Sequence, residues 1–175
     1  RSVKLNLEPI KNEGLFYVPI DHSGCSQRSD EEADLVEKMY NKIINKEVIV
    51  SGNKGKISPK DIMVVAPYNA QANNIRERLS KNYKDDVRVG TIDLFQGQEA
   101  KVVLISMTTS DVESLPRHKD FFFSRNRLNV AISRAECVAI IIFNEKLLLA
   151  PANAIEEMKL MNNFCKLLEF LTIYK

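Results

Sequence analysis

The amino-acid sequence predicts an α/β domain with a mostly parallel sheet flanked by helices. Three observations point there. Strand-length runs such as 62–66 and 137–143 are apolar throughout, the pattern of strands buried on both faces. Segments of helical periodicity alternate with them, for example Ala72, Ile75 and Leu79. The 175 residues, 45% hydrophobic and 27% charged, suffice for one substantial core but not for two.

Phe16-Tyr17-Val18-Pro19-Ile20 predicts a short strand whose proline belongs at an edge or an end. A polar loop follows. Ser29 and Glu32 then have the spacing of a capping box, opening a helix to about residue 46 through Ala33, Val36, Tyr40 and Ile43. Residues 46–60 read as a basic, glycine-bearing connector. The run 62–66 is a strand stopped by Pro67, 70–81 a helix, 87–92 a third strand and 101–107 a fourth. A helix is predicted over 127–135 and a fifth strand over 137–143. Further helices are predicted over 145–149 and 155–171, the last with Ile155, Met158, Met161 or Asn162, Cys165 and Leu168 in register.

The composition excludes several classes. With 25 basic and 23 acidic residues the chain is nearly neutral, and it is too hydrophobic for disorder. Six glycines and six prolines exclude collagen-like and low-complexity chains. The longest apolar run, 137–143, is far short of a membrane span, and the start does not resemble a signal peptide. Cys25, Cys137 and Cys165 offer neither a disulfide framework nor a zinc spacing, and His22 and His118 stand alone. The expectation is a soluble, metal-free, intracellular protein, cytoplasmic or, in a eukaryote, nuclear. A first residue of Arg1 rather than Met suggests a piece of a longer protein.

In open parallel sheets, ligands sit outside the carboxyl ends of the strands, so informative residues should lie just after strands. Three segments fit. In Ala66-Pro67-Tyr68-Asn69-Ala70-Gln71 the Tyr68 ring either stacks on a base or caps the core. In the segment 90–99, Thr91 and nearby backbone N–H groups suit phosphate oxygens, Gly97 permits positive φ, and Glu99 can accept from ribose hydroxyls. The same segment equally suits a solvated polar loop. In the segment 125–135, Leu128, Ile132 and Ala135 form an apolar stripe, while Arg127, Ala131 and Arg134 form another with room for an anion. Between Pro116 and Arg134, five basic residues face Asp120 alone, a phosphate-like footprint or a solvated basic face. The glycines around Lys54 do not make a phosphate loop, because Val50 and Ile57 occupy the glycine and Ser/Thr positions of that pattern. The chain therefore lacks a P-loop of its own.

Taken in order, these segments resemble the second RecA-like motor domain of superfamily 1 helicases. The likeness is to the 1B branch of the nonsense-mediated-decay helicases and Okazaki-fragment helicase-nucleases. Residues 66–71 resemble motif IV, 91–99 motif V and 127–135 motif VI. The resemblance implies a RecA-like fold of P-loop NTPase type over 1–150, with 151–175 as a C-terminal helical extension. It implies that Tyr68, Gly97, Glu99 and Arg134 contact ATP, with Arg134 as the arginine finger. It implies that Asn69, Thr91 and Asp93 touch single-stranded DNA or RNA, and that Gln96 and Arg127 couple the two sites. The phosphate loop and Mg²⁺ ligands would belong to a first RecA-like domain of the same polypeptide. Asn69 and Ala72 stand where many relatives carry arginine, and Glu136 follows motif VI instead of a second arginine. The alternative from another class is a docking module for nucleic acid or protein, derived from a helicase domain and without catalysis.

Overall fold

In the computed structural model, the structure describes residues 3–5, 13–50, 53–111, 125–149, 155–170 and 172–173. The elements are β1 (Val3–Leu5), β2 (Gly14–Pro19), α1 (Asp30–Ile43), β3 (Glu47–Val50), β4 (Asn53–Lys56) and β5 (Ile62–Val65). They continue with α2 (Asn69–Tyr83), β6 (Arg88–Gly90), β7 (Ala100–Ser106), α3 (Arg125–Ser133), β8 (Ala135–Phe143), α4 (Ile155–Phe170) and β9 (Thr172–Ile173). Short 3₁₀ turns cover Pro59–Asp61, Lys84–Asp86, Ile92–Phe95 and Glu145–Leu149.

Six strands form one parallel sheet in the order β6-β5-β7-β8-β2-β9. Its central strands β5, β7 and β8 are apolar except at Lys101, Ser106 and Glu136, because both faces are covered. Val64, Val102, Leu104, Ile140 and Ile142 pack toward Val36, Tyr40, Ile43, Ile75 and Leu79 of α1 and α2. Their neighbours Met63, Val65, Val103, Ile105 and Ile141 pack with Leu128 and Ala131 of α3 and Phe164 of α4. Each fully buried aliphatic side chain contributes about 1.5–3 kcal/mol relative to exposure, so the sheet holds both helical layers. The fold is the expected α/β, RecA-like layering.

Pro19 ends β2, at a position where its missing N–H costs the sheet nothing. α1 begins where expected: Ser29 Oγ accepts from the Glu32 backbone N–H at 3.1 Å, and Asp30, Glu31 and Glu32 fill the first turn. The other half of the capping box does not form. Ser29 N–H donates to Gln71 Oε1 at 2.9 Å, and the Glu32 carboxylate turns inward.

Five further expectations are corrected. The connector over 46–60 contains the antiparallel pair β3–β4, which joins β1 in a second, three-stranded sheet. Its base is tied by Ile57 N–H to Lys46 O and Asn45 N–H to Ile57 O, both 2.9 Å. The third strand is shortened to Arg88–Gly90, because a 3₁₀ turn takes Ile92–Phe95. Ala135 opens β8 instead of closing the preceding helix, and Ala131 is fully buried in the core, so it leaves no notch for an anion. On α4, Leu168 packs against the core as expected, but Met158 is 57% exposed and Asn162 is exposed, whereas Phe164 is buried against the sheet, so the inward face is shifted from the expected register. The side chains of Ile155 and Met161 and the basic residues Arg117 and Lys119 lie outside the described residues, as does His118.

Candidate functional site

Strand direction sorts the singled-out residues onto two opposite rims. β5, β6, β7 and β8 run the same way, with Val65 beside Gly90 and Ala100 beside Ala135. Pro67, Tyr68, Asn69 and Thr91 therefore lie beyond the carboxyl ends. Glu99 and Arg134 immediately precede β7 and β8 and lie at the amino ends. This corrects the expectation that every informative residue follows a strand.

At the carboxyl rim a cavity of about 390 Å³ is lined by Gln27, Pro67, Tyr68, Asn69, Ala70, Thr91, Ile92, Asp93 and Arg127. The N-terminus of α2 opens onto it without a side-chain cap, so backbone N–H groups face the space. Tyr68 is 8% exposed and packs with Met63, Val65, Ile92 and Phe95, and burial pushes its hydroxyl up to about 12. Asn69, Asp93 and Arg127 are exposed and Thr91 is half-buried. The wall thus carries amide, hydroxyl, carboxylate and guanidinium groups around one concavity, a set suited to a sugar–phosphate unit.

The amino rim is organised around Glu99 and Arg134. Ala100 N–H donates to Arg134 O at 2.9 Å, which joins the end of the 91–99 segment to the turn after α3. Gly97 adopts φ +76°, the positive value expected there, and Gln96 and Glu99 are exposed. Arg134 is half-buried. Its Nε is enclosed and has no hydrogen-bond partner among the described residues. A buried donor left unmatched costs about 1–3 kcal/mol, so this Nε calls for an acceptor from outside the described residues. The chemistry of the rim, a guanidinium and an acceptor-only carboxylate, suits an anionic nucleotide.

Two segments connect the rims. The 91–99 segment leaves the carboxyl end of β6 and delivers Glu99 to the amino end of β7. α3, nine residues or about 13 Å of helix, runs back from the carboxyl rim, where Arg127 lies, to the turn at Arg134 on the amino rim. The predicted residues are therefore not one cluster. Tyr68, Asn69, Thr91, Asp93 and Arg127 share a cavity, Gly97, Glu99 and Arg134 share the far rim, and Gln96 lies on the path between.

A buried polar network beside the carboxyl rim has no counterpart in the sequence reading. Glu32, fully buried, accepts from Ser106 Oγ at 2.5 Å, Thr108 N at 2.8 Å and His22 Nε2 at 3.1 Å. His22 Nδ1 lies 3.0 Å from Ser110 Oγ, and Gln71 bonds Ser106 Oγ and both backbone groups of Ser29. His22, Cys25 and Glu31 converge within 4.8 Å, against the expectation of an isolated histidine. Both ring nitrogens of His22 are already engaged by Glu32 and Ser110, which leaves no histidine lone pair for a metal. The available signal was the small hydroxyl residues Ser106, Thr108, Thr109 and Ser110 at the exit of a largely apolar strand.

A family model described as an AAA domain matches residues 19–146. The uncharacterized ATP-dependent helicase MJ0104 of Methanocaldococcus jannaschii is 34% identical over 146 residues, 82% of this chain and 18% of that protein. The RNA helicase Mov10l1 of Mus musculus is 36% identical over 96 residues, 53% of this chain and 8% of that protein. The DNA polymerase alpha-associated DNA helicase A of Saccharomyces cerevisiae is 29% identical over 126 residues, 70% of this chain and 18% of that protein. The chain spans less than a fifth of the length of each. With the matched region running from the end of β2 past β8, this chain belongs to the AAA domain family and is a RecA-like domain of the superfamily 1 helicase type.

Proposed function

We propose that this chain is the C-terminal motor domain of an ATP-dependent nucleic-acid helicase, supplying an arginine finger and part of the ATP and single-strand surfaces. The observation that carries this reading is the enclosed, unmatched Nε of Arg134 beside Glu99 at the amino rim. On this reading a first RecA-like domain of the same polypeptide faces that rim and holds the phosphates with Mg²⁺. Bound ATP supplies the phosphoanhydride bond whose hydrolysis drives the cycle. Arg134 places positive charge where the γ-phosphoryl oxygens gain negative charge, an effect worth about 10³–10⁵ in rate for such residues. Glu99 accepts from the ribose, with Gly97 allowing close backbone approach. Tyr68, expected at the nucleotide, lies buried at the carboxyl-rim cavity, where it supports the wall near the strand instead. At the other rim Asn69, Thr91 and Asp93 hold the nucleic-acid backbone. Gln96 and Arg127 lie on the two segments that run between the rims, which supports their role in coupling.

Because the phosphate loop and acidic metal ligands are assigned to the partner domain, catalysis needs both domains closed. The chain alone should show no ATP turnover, whereas the intact polypeptide should hydrolyse ATP with stimulation by single strands. Turnover by the purified chain that disappears in Arg134→Ala would contradict this division of labour.

A further inference from the structure

We infer that Arg88, outside all three helicase-like segments, is a positioning residue that sets Glu99 and Arg134 for the nucleotide. Arg88 opens β6 at the amino rim. Its Nη1 donates to Glu99 O at 3.0 Å and to Lys60 O at 2.8 Å, and its Nη2 donates to Gln98 Oε1 at 3.0 Å. The guanidinium carbon stands 5.9 Å from the centre of the Phe95 ring. One planar fork therefore grips the turn before β7 from three sides and ties it to the turn before β5. A lysine ammonium has neither the fork nor the flat face needed for this.

The grip reaches the finger through one peptide group. Arg88 holds the carbonyl of Glu99; the N–H of the same peptide, on Ala100, donates to Arg134 O. Arg88, the Glu99–Ala100 peptide and Arg134 thus form a chain of hydrogen bonds along the rim. Glu99 lies in the middle of it and Arg134 at its end. Gln98 is further held by its N–H to Phe95 O and its Nε2 to Leu94 O, so the turn is rigid once Arg88 is in place. Arg88 touches no reacting group on this account and acts only through the two residues it places.

The inference rests on the proposed function and is tested in two arms. In the chain itself, Arg88→Ala should speed hydrogen exchange at the Ala100 amide while leaving the Tm and exchange in β5 and β8 near the parent. In the intact polypeptide, Arg88→Ala should raise the KM for ATP and lower kcat/KM about tenfold, the scale of a sub-ångström misplacement. Single-strand affinity should stay parental. Arg88→Lys should not recover the rate, but free ethylguanidinium, well below unfolding concentrations, should restore part of it to Arg88→Ala. A merely structural role predicts no such rescue. An unchanged Ala100 amide in Arg88→Ala overturns the clamp. A loosened amide with parental kinetics overturns its part in hydrolysis. Parental hydrolysis by Arg134→Ala overturns the proposed function itself, and any role of Arg88 in catalysis with it.

Discussion

At Glu32 a carboxylate shielded from solvent takes hydrogen bonds from a serine, a backbone amide and a histidine. Removing one member of such a buried set strands the others. Glu32→Ala should lower unfolding stability by about 3–5 kcal/mol, read as a drop in the urea midpoint at constant m-value. Glu32→Gln, which keeps the shape and one acceptor, should cost less. Equal losses from both would show that the charge contributes nothing to the network. This residue also marks where pattern reading stopped. Ser29-x-x-Glu32 is a capping-box spacing, and the Ser29 half formed, but long-range partners at Ser106 and Thr108 outcompeted the local one. Nothing near Glu32 in the chain announces partners more than 70 residues away. Ala131 failed for a related reason: a small residue between two arginines reads the same whether it admits an anion or packs on a sheet.

At the scale of elements, the amino ends of β5 and β7 are stitched by Lys101 and Asp61. Burial alone would raise the Asp61 carboxyl, but hydrogen bonds from Lys101 and Ser58 and the Lys101 charge outweigh it and hold it below its usual value. A depressed carboxyl contributes stability above its unfolded pKa, about 3.9, and loses it as pH falls through the lower folded value. Asp61→Asn should therefore flatten the acid limb of a stability–pH curve in that window; an unchanged limb would contradict the stitch. Gly97 is the second element-scale test. A side chain at φ +76° has open space around it but sits in left-handed backbone. Gly97→Ala should cost about 1–2 kcal/mol in thermal unfolding without disturbing the core. The central strands and α1 to α3 were legible because apolar runs and helical periodicity are local signals. The β3–β4 pair was not, since alternating lysine and glycine in β4 hide the buried contact made by Val48 of β3.

For the whole molecule, the candidate residues divide between two rims, each with a basic and an acidic side chain, a division that depends on strand direction and so on topology. The residues of the candidate site were legible one by one, while their placement on opposite edges was not. If the carboxyl rim holds a strand through its backbone, single-strand binding by the chain should be weak and log-linear in salt, with a slope on the order of −0.7 per phosphate neutralised. A salt-independent affinity measured by fluorescence anisotropy would contradict that. On this reading hydrolysis depends on Arg134, whose Nε has no partner among the described residues. Single-turnover hydrolysis of ATP by the intact polypeptide carrying Arg134→Ala tests it most directly. The predicted result is a chemical step slowed by about 10³–10⁵ with nucleotide and strand binding near parental. A parental rate under the same conditions would contradict the account.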